Sequence, residues 1–264
     1  MEYKKIILMY FSPGGTTKKT LENIAKGMDA EKVEHLDLTN FDKRWERRVF
    51  EKDEFVLFGM PAYFGRMTPS AKEIFNRTLA NNTSCVSVVV YGNRAYEDSL
   101  LELKNSAEDC GFKVIGAAAF VAEHSFNNGV AVGRPDESDT EKQIEFGREI
   151  AKRLGDMVDP DNIHLEVPGD FPYKNAMDPP IAATADDKCI NCGKCVENCP
   201  VKAIDPNDPK KTDKFRCILC NRCIKDCPEG AREIRVPHYQ EQVEFLTAMA
   251  QERREPEIFF DTQK

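Results

Sequence analysis

Near-continuous apolar runs punctuate the first half of the chain: Ile6 to Phe11, Phe55 to Phe58, Cys85 to Tyr91 and Phe112 to Ala122. Runs without alternation mark strands covered on both faces, as in a parallel sheet. The pattern predicts strands over residues 4–11, 32–38, 53–59, 85–91 and 112–122. Between them apolar positions recur at helical spacing, most clearly Leu21, Ile24, Ala25 and Met28, and helices are predicted over 18–28, 70–79, 96–110 and about 140–157. Residues 39–52 are charged, hold the only tryptophan, Trp45, and read as helix or loop packing. Five strands alternating with helices predict an α/β fold with a doubly wound five-stranded parallel sheet.

Past residue 158 the periodicity lapses. Residues 159–185 form a proline-rich ordered linker, residues 186–236 a small cysteine-rich module, and residues 237–264 a C-terminal helix and tail. In that helix, expected over 238–254, Val243, Leu246, Met249 and Ala250 share a face, and the face is predicted to dock on the body. The apolar tail Glu257-Ile258-Phe259-Phe260 is predicted to fill a groove of the same chain or of a second subunit, which would make a homodimer.

The net charge is -8 over 264 residues, yet residues 186–236 carry 11 Lys+Arg against 9 Asp+Glu, so the acidity lies outside the cysteine-rich module. Such a balance offers no footprint for nucleic acid, and no basic amphipathic stretch points to a membrane surface. The longest apolar runs are too short to span a bilayer, and the N-terminus lacks the order of a signal peptide. The expectation is a cytoplasmic protein.

Eight of the ten cysteines fall in two runs, Cys189-Ile-Asn-Cys192-Gly-Lys-Cys195-Val-Glu-Asn-Cys199-Pro and Cys217-Ile-Leu-Cys220-Asn-Arg-Cys223-Ile-Lys-Asp-Cys227-Pro. Each is the C-x2-C-x2-C-x3-C-P run of bacterial ferredoxins, in which the fourth cysteine ligates the other cluster. That rule groups Cys189, Cys192, Cys195 and Cys227 on one [4Fe-4S] cluster and Cys217, Cys220, Cys223 and Cys199 on another. Matched apolar pairs, Ile190 with Ile218, Val196 with Ile224 and Ala203 with Ala231, predict two related halves around one core, a small α+β ferredoxin-like domain. Structural zinc needs only two C-x2-C pairs, so the repeated third cysteine and Cys-Pro argue against it. Disulfides need an oxidising compartment that nothing here specifies. Cys85 and Cys110, outside the runs, read as small apolar residues.

In an open α/β sheet the ligand sits beyond the carboxyl ends of the strands, at the switch point. Three loops leave strand ends with suitable residues: Ser12-Pro13-Gly14-Gly15-Thr16-Thr17, Pro61-Ala62-Tyr63-Phe64-Gly65, and Gly92-Asn93-Arg94-Ala95-Tyr96. The first, strand to Gly-rich loop to helix, is suited to a phosphate at a helix N-terminus; alone it is equally an ordinary βα turn. A long loop over 123–138 should be functional or disordered, with His124 and Arg134 as its candidate catalytic residues. The alternative for His124 is a local hydrogen-bonding role.

With these motifs in place, residues 1–158 resemble a flavodoxin-type domain. Nearly the whole chain, including Gly92 to Tyr96, Glu123-His124-Ser125 and Gly133-Arg134-Pro135-Asp136, resembles the EFR-family ferredoxins, flavodoxin–ferredoxin fusions of anaerobes. Flavodoxins read Ser/Thr-x-Thr-Gly-x-Thr/Ser in the first loop; here Gly14 replaces the middle threonine, so phosphate contacts lean on backbone N–H groups. The resemblance implies FMN beside two [4Fe-4S] clusters, held by Ser12, Gly14, Gly15, Thr16, Thr17, Pro61, Ala62, Tyr63, Phe64, Gly65, Gly92, Asn93, Arg94 and Tyr96. Tyr63 would lie against the flavin ring, or else cap the core. Arg94 would set positive charge near a reduced flavin, or else be a solvated loop charge. No G-x-G-x-x-G follows a strand, so a nicotinamide donor is not indicated. The expected partner is a redox protein, ferredoxin or a ferredoxin-dependent enzyme of anaerobic metabolism. A flavin-dependent reductase of a small organic substrate and a redox sensor are the alternatives.

Overall fold

The computed structural model describes residues 3, 5–126, 129–156, 163–177 and 179–261. Lys4, Met157 and residues 158–162, where the ends of the first predicted strand and of the 140–157 helix and the first domain boundary fall, lie outside the described residues.

Strand β1 (Lys5–Tyr10), second from one edge of the sheet, is buried from Ile7 to Tyr10. The loop after it reaches helix α1 (Thr16–Gly27) through Gly15 at φ 83°, a left-handed conformation that glycine adopts without steric cost. Strand β2 (Val33–Asp37) pairs with β1 and forms the outer, mostly exposed edge. Residues 39–52 make a 3-10 turn at Asp42–Trp45 and then the short strand β3 (Arg48–Phe50). Strand β4 (Glu54–Tyr63) runs past the predicted 53–59, and its end pairs with β5 (Arg66–Met67).

The helix expected over 70–79 is a single short α2 (Ala71–Phe75). The Thr78 hydroxyl donates to the Ile74 carbonyl at 2.8 Å and closes that helix. The chain then forms β6 (Thr78–Ala80), parallel to β3. That pairing is made with residues some thirty positions away, so no local periodicity announces it. Strand β7 (Ser84–Tyr91) is buried along its length, α3 (Ser99–Asp109) follows, and β8 (Lys113–Val121) and α4 (Glu137–Asp156) complete the first domain.

Counted over the five long parallel strands, the order is 2-1-3-4-5, the doubly wound flavodoxin-like order. Helices α1 and α4 cover one face over Leu8, Phe55, Phe120 and Phe146. Helices α2 and α3 cover the other over Met9, Phe58, Val89 and Phe112. Each fully buried Phe contributes roughly 1.5–3 kcal/mol of apolar transfer.

In the second domain β9 (Thr184–Ala185) pairs antiparallel with β10 (Arg232–Glu233), enclosing the single-turn helices α5 (Lys194–Glu197) and α6 (Arg222–Lys225). Left-handed residues recur at the offset of the two cysteine runs: Asn191 with Leu219, Gly193 with Asn221, Lys202 with Gly230. The two halves are thus conformational repeats. Helix α7 (Pro237–Met249) begins at a proline in its first turn, after extended Val236, where a missing N–H costs nothing. The helix stops at Met249, short of the expected 254.

Residues 250–256 then cross the first domain, and β11 (Glu257–Phe260) adds to β8 as an antiparallel edge strand. The tail therefore docks on its own chain. Phe260 sits between the Phe146 ring, at 5.3 Å, and the Arg153 guanidinium, at 4.1 Å. Among the described residues no helix is long and apolar enough to cross a membrane.

Candidate functional site

The carboxyl ends of β1, β4 and β7 open on one cavity of about 480 Å³, within the roughly 300–1,000 Å³ range of cofactor sites. Gly14, Thr16 and Thr17 line it from the first loop, Pro61 to Gly65 from the second, Gly92 and Arg94 from the third, and His124 and Arg134 from the long loop. Ser12, Gly15, Asn93 and Tyr96 are not on its wall. Ser12 instead shapes the first loop: its N–H donates to Thr39 Oγ1 at 2.7 Å and its Oγ accepts the Lys18 N–H at 3.0 Å.

At one end of the cavity stands the N-terminus of α1, whose first turn holds no acidic residue and no side-chain cap. Its N–H groups and the positive end of its dipole are suited to an anion. The other end is aromatic. Tyr63 is half-buried and faces the cavity from densely packed surroundings; burial drives its hydroxyl pKa well above the ordinary value, with Cys220 and Cys217 adding to the effect. Phe64 and Phe126 meet edge to face at 5.7 Å. Arg94 is ion-paired with Glu97, which also binds Lys174, so its charge is partly compensated.

His124 lies beside the third loop. Its Nδ1 accepts the Phe126 N–H at 3.1 Å, which leaves Nε2 to carry the proton of a neutral ring. Burial, with Arg94 assisting, lowers its pKa to about 4. The close approach requires glycine at residue 92, because a Cβ there would lie 2.3 Å from His124 Cδ2.

Arg134 and Asn93 have their polar groups occupied within the fold. Arg134 is buried against Asp139, with Nε donating to Oδ2 at 2.7 Å, and Nη1 donates to the Arg254 carbonyl at 2.7 Å. Asn93 Nδ2 donates to the carbonyls of Ala250 and Glu252, and its Oδ1 accepts the Arg254 N–H. Tyr96 donates to Glu257 at 2.8 Å. These three residues hold the segment that follows α7, and their chemistry is that of a latch.

In the second domain Cys189, Cys192, Cys195 and Cys227 line one small cavity. Cys199, Cys217, Cys220 and Cys223 lie close together: burial raises the thiol pKa values of Cys217, Cys220 and Cys223, and Cys199 adds to each. The Ala203 N–H donates to Cys199 Sγ at 3.2 Å and the Ala231 N–H to Cys227 Sγ at 3.3 Å, equivalent bonds of the two halves. Such donors suit electron-rich sulfurs. Among the described residues no three His, Cys, Asp or Glu side chains converge as they would on a single metal ion. Between the sets lies buried Arg232, whose Nη1 is 3.6 Å from Cys195 Sγ and which also bonds Cys223.

The two sites meet. Cys220 of the second set lines the large cavity, as does Lys225 of α6. Further parts of the wall are Lys174, Met177 and Pro179, ahead of the first cysteine run, and Gln242, Phe245, Leu246 and Met249 of α7. None of these was singled out as a site residue. The apolar face of α7 was legible, but Leu246 and Met249 face the cavity while Tyr239 and Val243 are buried with Leu219 and Ile234. Cys85 and Cys110 are removed from both sites, and burial raises their thiol pKa values, Cys110 to about 11.

Residues 174–232 match the family described as 4Fe-4S dicluster domain, and this segment carries the two [4Fe-4S] clusters. A search of curated proteins finds no match. Among solved structures, an archaeal flavodoxin aligns at 16% identity over 57% of this chain and 99% of its own, TM-score 0.41. The apo form of an NADH:FMN oxidoreductase aligns at 14% identity over 60% of this chain and 93% of its own, TM-score 0.40. Rubredoxin oxygen:oxidoreductase of Desulfovibrio gigas aligns at 14% identity over 59% of this chain but only 37% of its own length, TM-score 0.41.

Proposed function

We propose that the chain is an electron-transfer protein of the EFR-family type, with FMN in the large cavity and electrons passing between it and the two clusters. One observation carries the reading: Cys220 shares a cavity wall with the loops at 61–65 and 92–94. The second cysteine set is then the cluster proximal to the flavin and the first set the distal one.

The cavity fits FMN at both ends. The N–H groups at the start of α1 would hold the phosphate, and Tyr63, Phe64 and the backbone around Gly92 would hold the ring. Flavin when bound supplies two-electron chemistry, whereas each cluster passes one electron at a time. The chain's own part is placement. Tyr63 packs in the same apolar region as Cys220 and keeps water out of the gap between the two groups. Exposed Cys192 brings the distal set to the surface, where a ferredoxin or ferredoxin-dependent enzyme would exchange electrons.

Iron, sulfide and flavin content of anaerobically purified protein, with spectra during stepwise reduction, tests this. About eight iron, about eight sulfide and one FMN are expected, with flavin and cluster bands bleaching together. Full clusters without flavin, even after incubation with FMN, would sink the flavin assignment.

A second reading, a reductase acting on a small organic substrate, draws on the α7 wall. Phe245 and Met249 line the same cavity as the loops that would hold the ring, and neutral His124 would orient a substrate oxygen by donating from Nε2. Reoxidation of the reduced protein by a panel of small organic acceptors, compared with reoxidation by ferredoxin, separates the two.

A further inference from the structure

The 3-10 turn at Asp42–Trp45 brings a cation from the first domain to the edge of the second. Arg44 is 0% exposed. Its Nη2 donates to the carbonyl of Pro200 at 2.5 Å, the residue that follows Cys199. Nε and Nη1 are buried and have no hydrogen-bond partner among the described residues. Glu73 Oε2 lies 3.5 Å from Nε without an aligned bond, and its side chain is 38% exposed. The rings of Phe41 and Phe11 flank the guanidinium at 5.1 and 5.6 Å.

A guanidinium stays charged in proteins, and burying one with two nitrogens unsatisfied is destabilising. A fold retains such a group at low cost only where a compensating negative charge lies nearby. The groups that face Arg44 are Glu73, Asp42 and Cys199. Of these, Cys199 belongs to an assembly whose charge changes during function.

We propose that Arg44 is a positioning residue for the proximal cluster, raising its reduction potential through the buried charge at Cys199–Pro200. The inference rests on assigning Cys199, Cys217, Cys220 and Cys223 to one [4Fe-4S] cluster. When a low-potential one-electron carrier reduces that cluster, no bond forms or breaks, and the cluster with its thiolates becomes one charge more negative. A fixed cation in a water-poor setting favours the more negative state. Arg232 touches both cysteine sets. Arg44 reaches only the proximal set, and the asymmetry draws electrons toward the flavin side. The first domain thereby tunes a cluster held entirely by the second.

The test is a potentiometric titration of the full-length anaerobic protein followed by EPR, with iron and sulfide measured on the same preparations. Arg44→Gln should lower one of the two cluster midpoint potentials and leave the other in place. Arg44→Lys, which keeps the charge, should retain most of the original value. Glu73→Gln, a change at a partly exposed carboxylate, should move the same potential upward and keeps the test decisive should Arg44→Gln not fold. With both clusters present, potentials unmoved by Arg44→Gln, or moved together, would overturn the inference alone, as would a Glu73→Gln protein with no upward shift. A parent protein without two clusters would overturn the cluster assignment along with it.

Discussion

Hydrogen bonding and burial set the proton inventory of His124. The Phe126 N–H occupies Nδ1, and burial with Arg94 nearby lowers the pKa from 6.5 to about 4. The folded value lies below the unfolded one. Stability from this group is therefore fully present above about pH 6.5 and is lost as pH falls toward 4, by on the order of 3 kcal/mol. Imidazole 15N NMR should find the His124 ring still neutral at pH 5; a ring there that protonates near 6.5 would refute the assignment. The same experiment reads Gly92→Ala. A Cβ 2.3 Å from Cδ2 and 2.9 Å from Cα of His124 must displace the imidazole, costing about 1–3 kcal/mol and returning its titration toward the ordinary range. A proton inventory unchanged in that variant would show that the contact relaxes elsewhere.

Among the elements, β11 and the segment that leads to it decide whether α7 stays over the cavity. Asn93 bonds three backbone groups of residues 250–254 and the Arg134 side chain. Asn93→Ala would remove the side-chain partner of the three backbone groups, at about 1–3 kcal/mol for each buried one, while Arg134 keeps its bonds to Asp139 and the Arg254 carbonyl. Limited proteolysis should then cut within 250–255 several-fold faster, and an unchanged rate would show that β11 alone holds the segment. Ending the chain at residue 255 should expose the β8 edge from Gly116 to Ala119 and produce association visible by light scattering. Little of this arrangement can be read from sequence. The five parallel strands were legible because their apolar runs are a local consequence of burial on both faces, and the cysteine sets because cluster chemistry fixes ligand spacing. The β3·β6 pairing, the docking of Phe259 and Phe260 on β8, and the turn of Leu246 and Met249 toward a cavity depend on partners far along the chain. Asn93, Arg134 and Tyr96 illustrate the same limit: loop residues of suitable chemistry prove to be occupied by residues 250–257, about 120 to 160 positions later.

At the scale of the whole molecule the two cofactor sites share structural support, and this has a thermodynamic consequence. Tyr239 and Val243 of α7 are buried with Leu219 and Ile234 of the cluster domain, and Phe64 and Phe126 from the first domain pack against the same group. Asn221, between Cys220 and α6, donates to the Ser125 carbonyl at 2.9 Å, and the Tyr239 hydroxyl donates to the Phe126 carbonyl at 3.3 Å. Leu219 and Asn221 flank Cys220, and their left-handed conformations belong to the loop that would wrap the proximal cluster. Cluster ligation should therefore supply part of this loop's folding free energy. Without the cluster the loop loses its constraint, α7 loses its anchor at Leu219, and the cavity loses the wall formed by Cys220, Leu246 and Met249. FMN should then bind at least tenfold more weakly, a change of about 1.4 kcal/mol. Because coupling is reciprocal, bound FMN should in turn protect the clusters. Oxidative removal of iron with a chelator, followed by titration of FMN fluorescence, measures the first half; the rate of iron release with and without FMN probes the second. An FMN affinity that survives complete iron loss would mean that the first domain holds the flavin by its own three loops and that α7 stays seated without the cluster.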